Sequence, residues 1–314
     1  MTNPSSTTIL RRAFELKTAA PSFNIPYLPM MAPVVRALQD TGAFGFIAVA
    51  RLEWEKFEAG SLEAVREEYE RVKDERCTRL HLDHTPVVDE DGLQVDYRAI
   101  IERALKLGYD SVMVDGSRLP FEANVQATRE VVELAHAAGV PAEAELGAVL
   151  GHEPGPLPDY DELFASGRGF TDVDEARRFV AQTGADWLSV AVGNIHGAIS
   201  GAAKSAHKPA ARLSIDRLAA LASATGVPLV LHGGSGIPRE SLLAGVGAGI
   251  AKVNVGTTLR QAYEGSASLG IEAAQRKVYL ATVSVIMDEL QIEGSANRLL
   301  DNGHSEGGSA HVGG

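Results

Sequence analysis

The sequence predicts a closed (β/α)8 TIM barrel, and three observations carry that prediction. Short runs of β-branched and aromatic residues alternate eight times with segments of helical period in a chain of 314 residues. Glycines 108, 139, 184 and 226 stand just beyond four of the helical segments, as stops before the next strand. Polar groups gather at the C-terminal ends of most of the strands, where a barrel builds its active site from the loops. A doubly wound open sheet would instead carry a glycine-rich dinucleotide fingerprint at its first turn, and Asn24-Ile25-Pro26-Tyr27 has none.

In order, the expected strands lie around Phe23 to Ile25, Phe44 to Ala50, Leu80 to Asp83, Ser111 to Asp115, Pro141 to Glu145, Trp187 to Val192, Pro228 to His232 and Ala251 to Val255. Helices are expected between them, among them Tyr97 to Leu107, Glu122 to Ala138, Asp172 to Thr183 and Ser214 to Thr225. Gly151 to Phe170 shows no helical period until Asp172, so it is expected as a long loop of the kind that serves as a lid or binding segment. Residues 1–301 are expected to form one barrel domain with a C-terminal helical extension. The Gly/Ser/His-rich stretch 302–314 is expected to be a disordered tail, with His304 and His311 in solvent.

Composition narrows the function. A formal net charge of −12 argues against nucleic acid and anionic membranes as partners, since both need a basic surface. No apolar run approaches the roughly 20 residues of a membrane span. The start of the chain has neither the basic nor the apolar region of a signal peptide, and the single cysteine, Cys77, cannot form an intramolecular disulfide. A cytoplasmic location is expected, with Cys77 a packing residue.

The chemistry centres on His81-Leu82-Asp83-His84, at the end of the third strand. His196 and His232 follow strands six and seven, and Glu145 ends strand five. Neutral imidazoles with a carboxylate suit zinc, so His84, His196 and His232 read as ligands, with Glu145 a fourth ligand or a carboxylate that orients a histidine. Side chains at i and i+2 share a face, so His81 and Asp83 point inward together. His84 then needs the chain to turn at the strand's end, and His81 reads as a buried polar neighbour of the site. The run His232-Gly233-Gly234-Ser235-Gly236 offers backbone N–H groups and a hydroxyl to an anion, and Gly256-Thr257-Thr258 after strand eight adds to it.

The segments Leu80-His81-Leu82-Asp83-His84, Ser111 to Ser117, Ala142 to Gly147, Gly193-Asn194-Ile195-His196-Gly197, Leu231 to Pro238 and Lys252-Val253-Asn254-Val255 together resemble class II, zinc-dependent ketose-bisphosphate aldolases of the fructose- and tagatose-bisphosphate type. The resemblance implies reversible retro-aldol cleavage of a phosphorylated ketose to dihydroxyacetone phosphate and an aldehyde. It implies zinc on His84, His196 and His232 with Glu145 in the metal environment, and Asp83 as the acid/base at the cleaved bond. It makes Glu153 the mobile carboxylate that exchanges the proton on the donor's nucleophilic carbon. Asn24, Gly197, Gly233, Ser235, Asn254 and Thr257 become substrate and phosphate contacts, assisted by a monovalent cation, Na+ or K+. A homodimer or homotetramer in carbohydrate metabolism, such as glycolysis, is implied as well. An enediolate left by bond cleavage carries its charge on oxygens that zinc can hold, so no Schiff-base lysine is needed.

Departures from the family pattern are local. His152 and Pro154 flank Glu153, Gly256 leans to the tagatose type, and no Asp-Pro-Arg stretch follows strand eight. Val49-Ala50-Arg51-Leu52-Glu53 lacks the serine or asparagine expected near the phosphate, and Arg51 could serve that contact or another anionic substrate. The competing readings are a metal-dependent barrel hydrolase, a non-catalytic sugar-phosphate binder, and an aldolase of different donor and acceptor specificity. The hydrolase would place two histidines at i, i+2 on its first strand, and Phe23-Asn24-Ile25-Pro26 has none.

Overall fold

Strand β1 (Ala20–Asn24) pairs in parallel with β2 (Gly45–Ala50) on one side and with β8 (Ile250–Val255) on the other, and that second pairing closes the sheet. Between them run β3 (Thr78–Pro86), β4 (Ser111–Asp115), β5 (Ala142–Leu146), β6 (Trp187–Val190) and β7 (Leu229–Leu231), in sequence order around a closed barrel. This computed structural model describes residues 3–147, 160–194, 211–234 and 236–301. The (β/α)8 barrel read from the sequence is the fold observed.

Helices follow the strands, beginning with α2 (Met31–Thr41), α3 (Arg51–Glu55) and α4 (Leu62–Val72), all preceded by α1 (Ser6–Glu15), which lies ahead of β1 and packs on β8. Next come α5 (Tyr97–Lys106), α6 (Phe121–Ala137), α7 (Tyr160–Ser166) and α8 (Val173–Thr183). The Asp96 and Asp172 carboxylates accept the first-turn amides of Ala99 and Glu175, which fixes the starts of α5 and α8. After α9 (Ile215–Thr225) and α10 (Arg239–Ala248), the last described elements are α11 (Thr257–Glu264), α12 (Ile271–Ser284), a π-helical turn at Val285–Glu289, and α13 (Ser295–Leu300). The extension is tied back to the barrel where Ser295 Oγ accepts the Phe44 amide at 3.0 Å. Among the described residues no helix is long and apolar enough to cross a membrane.

One expectation is corrected. The segment before Asp172 was expected to lack helix, yet Tyr160–Ser166 forms α7. Tertiary contacts hold this short helix: the Phe164 ring packs edge-on against Phe170, and the Tyr160 hydroxyl donates to the Gly193 carbonyl at 2.8 Å. Residues 148–159 and the tail 302–314 lie outside the described residues.

Alternation along the strands decides what fills the barrel. Phe46 and Trp187 meet inside it with ring centroids 5.6 Å apart, and His81 lies beside both. Two residues further along β2 and β6, the same face carries Ala48 and Ser189, both small. The interior thus passes from packed aromatics to a polar layer toward the C-terminal ends of the strands.

Candidate metal centre and active site

Strict alternation would turn His84 away from Asp83. The register between β3 and β4 shifts between Leu82 and Thr85, and this irregularity within the strand, rather than a turn at its end, brings His84 to the same centre. There, His84 Nε2 lies 2.6 Å from His232 Nδ1. The outer nitrogen of each ring faces a carboxylate: His232 Nε2 lies 2.9 Å from Glu143, and His84 Nδ1 lies 3.4 Å from Asp115. Ser117 fixes Asp115 by donating its backbone amide and its hydroxyl to the same carboxylate oxygen.

A histidine whose outer N–H is claimed by a carboxylate presents its inner lone pair to a metal. Two such lone pairs aimed at one point suit a shared cation. Asp83, His84 and His232 can bring one ligand atom each within 4.8 Å of the others, and so can His84, Asp115 and Glu145. Glu145 lies 3.4 Å from His232 Nδ1 and 4.0 Å from His84 Nδ1, so it borders the same space.

The field agrees with the donor set. Burial works against a charged His84, but Asp83, Asp115 and Glu145 outweigh it and push the imidazole up to about 10. Burial and the nearby Asp115 charge push Glu145 up to about 8. The centre favours added positive charge, and these residues fit a divalent metal.

Asp83, 1% exposed, accepts from two amides: Asn24 Nδ2 on Oδ2 at 2.8 Å and Asn254 Nδ2 on Oδ1 at 2.9 Å. Burial alone would raise its carboxyl, but His84, His81 and Lys252 hold it well below the usual carboxylate range. Asn254 Oδ1 is buried and has no hydrogen-bond partner among the described residues. An unsatisfied buried acceptor of this kind costs free energy unless a ligand group donates to it.

Beneath the centre runs a buried network. Lys252, fully buried, donates to Glu143 Oε2 at 2.8 Å and lies 3.2 Å from His81 Nε2. His81 turns Nδ1 to Ser111 Oγ at 2.9 Å, and burial lowers its basicity, so it sits as a neutral acceptor for Lys252. Glu143 is held down at about 2: burial opposes its charge, but Lys252 and His232 overcome that cost. Every charge in the network has a counter-charge, which is what allows it inside a barrel.

The structure brings together Asp83, His84, Glu145, His232, Asn24 and Asn254 from the sequence reading. Gly233 follows His232 with φ 67°, and Thr257 opens α11 just past β8. Glu153, His196, Gly197 and Ser235 lie outside the described residues. Arg51 stands 3.6 Å from Asp89 and 3.8 Å from Glu55, so it begins α3 already facing carboxylates. Cys77 is buried, and burial pushes its thiol up to about 12, which suits packing.

Sequence reasoning gave no role to Glu143, Asp115, Lys252 or Asn194. Parity could have found two of them, since Glu143 and Lys252 each stand two residues before an assigned inward residue. Asn194 joins β6 to β7 by accepting the Val192 amide and donating to the His232 carbonyl.

A closed barrel that directs two carboxylate-oriented imidazoles and a desolvated aspartate to the C-terminal mouth of its strands carries a candidate metal-binding site where barrel enzymes build their active sites. The family model described as fructose-bisphosphate aldolase class-II matches residues 4–297, and the chain belongs to that family. It is 34% identical over 247 residues to the 6-phospho-5-dehydro-2-deoxy-D-gluconate aldolase of Shouchella clausii (strain KSM-K16), covering 74% of this chain and 79% of that one. It is 33% identical over 258 residues to a "Probable fructose-bisphosphate aldolase" of Bacillus subtilis (strain 168), covering 81% of each. Its fold is similar to the crystal structure of the YdjI aldolase from Escherichia coli K12, with TM-score 0.70, 25% identity, 93% of this chain and 99% of that one. The protein is a class II aldolase.

Proposed function

We propose that this aldolase is zinc-dependent and reversibly cleaves a phosphorylated ketose to dihydroxyacetone phosphate and an aldehyde. The observation that carries the reading is the convergence of His84 Nε2 and His232 Nδ1 beside the buried carboxylate of Asp83. His84, His232 and Glu145 would hold the metal, with His196 expected to complete the set. Zinc bound there supplies Lewis acidity to the oxygens on which charge develops when the carbon–carbon bond breaks.

Asp83 is ionised and fixed by two amides, so in cleavage it can take the proton from the hydroxyl beside the breaking bond. The alkoxide collapses to the aldehyde, the bonding pair passes toward the donor carbonyl to give an enediolate, and protonation of the carbon that lost the bond, the role expected of Glu153, completes dihydroxyacetone phosphate. Condensation runs the same steps backward, with Asp83 returning its proton. The buried Asn254 Oδ1 is an acceptor, so it suits a donor hydroxyl rather than a carbonyl. The turn after β7 and Thr257 would take the phosphate, with a monovalent cation beside it.

A phosphorylated sugar acid is the second substrate reading. It is favoured by Arg51, whose contacts with Asp89 and Glu55 at 3.6 and 3.8 Å are longer than hydrogen bonds and leave the guanidinium suited to a carboxylate. A homodimer or homotetramer is supported by Leu269, just ahead of α12, and Ile271 and Leu280 within it, all at least half exposed. The test is to compare kcat/KM for fructose 1,6-bisphosphate, tagatose 1,6-bisphosphate and a phosphorylated 5-dehydro-2-deoxygluconate. Cleavage of at least one to dihydroxyacetone phosphate is expected, and cleavage of none overturns the reading.

A further inference from the structure

Lys252 lies within β8, wholly buried inside the barrel, and has no part in the chemistry above. Its ammonium donates to Glu143 Oε2 at 2.8 Å, and the other oxygen of that carboxylate, Oε1, lies 2.9 Å from His232 Nε2. Glu143 thus divides its two oxygens between the lysine and the imidazole. Since β5 and β8 are not neighbours in the sheet, the lysine reaches this carboxylate across the barrel interior.

A glutamate carboxylate has a broad last torsion, so burial alone does not fix where its oxygens point. Among the described residues, the hydrogen bond on Oε2 comes from Lys252, while His81 Nε2 stands farther off at 3.6 Å. The hold on Oε2 sets the aim of Oε1. When His232 Nε2–H donates to Oε1, the lone pair stays on Nδ1, the atom that faces His84.

Charge alone argues against a lysine here. Its Nζ lies 4.0 Å from Asp83 Oδ1, and Asp83, His84 and His232 can bring their ligand atoms together around one cation. An ammionium so close repels a divalent ion bound there. Geometry and charge therefore predict opposite effects on metal affinity when the lysine is removed.

We propose that Lys252 is a positioning residue for the metal: its ammonium holds the Glu143 carboxylate so that Oε1 aims the His232 ring with Nδ1 toward the cation. The inference rests on the metal-dependent reading of the site.

The experiment is a double-mutant cycle on the full chain, with Lys252→Met, Glu143→Gln and the double variant, read as zinc affinity by competition against a chelator. Methionine fills nearly the same space without the charge. Lys252→Met is expected to bind zinc about 10–100-fold more weakly than the parent, the scale for losing a ligand's orientation, although a positive charge has been removed. Affinity equal to or above the parent's overturns the proposal, because relief of repulsion alone gives that result. In the Glu143→Gln background, Lys252→Met is expected to weaken zinc no further, and a second loss of the same size overturns it. Should Lys252→Met not fold, Lys252→Gln, neutral and shorter than lysine, is read in the same cycle with the same outcomes. A parent that binds no zinc would refute the metal reading, and a metal-free crystal structure of the lysine variant then decides the inference. Glu143 Oε1 moved out of hydrogen-bond reach of His232 Nε2 supports it, and that bond kept overturns it.

Discussion

His84 and His232 come from strands on opposite sides of the barrel, 148 residues apart in sequence, and face each other through ring nitrogens 2.6 Å apart. Each is aimed by a carboxylate on its far side, Asp115 for His84 and Glu143 for His232. The pair, and not either ring alone, defines the centre.

Orientation by those carboxylates predicts a graded loss of metal. Asp115→Asn and Glu143→Gln are expected to weaken zinc binding by roughly 10–100-fold, the usual cost of losing a ligand's orienting partner. His84→Ala and His232→Ala are expected to abolish stoichiometric binding. Competition against a chromogenic chelator measures both, and equal zinc affinity in Glu143→Gln and the parent would remove the role assigned to Glu143.

Asp83 is separable from the metal if it handles the proton. Asp83→Ala is expected to lose about 10²–10⁴-fold in kcat, the range for a general acid/base, while its zinc content stays at the parental level. Zinc lost along with activity would make Asp83 a ligand.

The Glu143 carboxyl gives a pH dependence with a definite sign. Its folded value of about 2 lies below its ordinary 4.5, so the native state binds that proton less readily than the unfolded chain. The stability it contributes is fully present above about pH 4.5 and fades as pH falls toward 2. In metal-free protein, the gap in thermal midpoint between the parent and Glu143→Gln is expected to narrow across that window. A gap that widens on acidification would contradict the Lys252–Glu143 pairing.

Gly193 offers a test of the scaffold. Its φ of 107° is one that side chains avoid, and a Cβ there would run into the Arg212 carbonyl oxygen and the Phe164 ring. Gly193→Ala is expected to cost on the order of 1–3 kcal/mol from backbone strain, with the clash adding to it, visible as a lower midpoint in denaturant. An unchanged midpoint would mean that the β6 turn relaxes freely.

The barrel was legible because its punctuation is local. Glycines 108, 139, 184 and 226, read as helix stops, adopt φ of 77°, 76°, 72° and 66°, and a left-handed residue is a requirement that sequence states directly. Helix α7 was not legible, since Tyr160 and Phe164 gain their meaning only from Phe170 and Gly193, which the fold brings to them. Alternation put His81 and Asp83 on one inward face, where they lie, but it sends His84 the wrong way, and no residue type announces the shift of register between Leu82 and Thr85. Lys252 and Glu143 are 109 residues apart, and their pairing exists only once the barrel has closed.

The most direct test of the central claim is solvent proton exchange at the nucleophilic carbon of dihydroxyacetone phosphate, followed by NMR in D2O without any aldehyde. The parent enzyme is expected to exchange that proton, to stop when zinc is stripped by a chelator, and to recover when zinc returns. His232→Ala is expected to show no exchange under any of these conditions. Exchange that persists in the stripped protein, or in His232→Ala, would contradict an aldolase built around this pair of histidines.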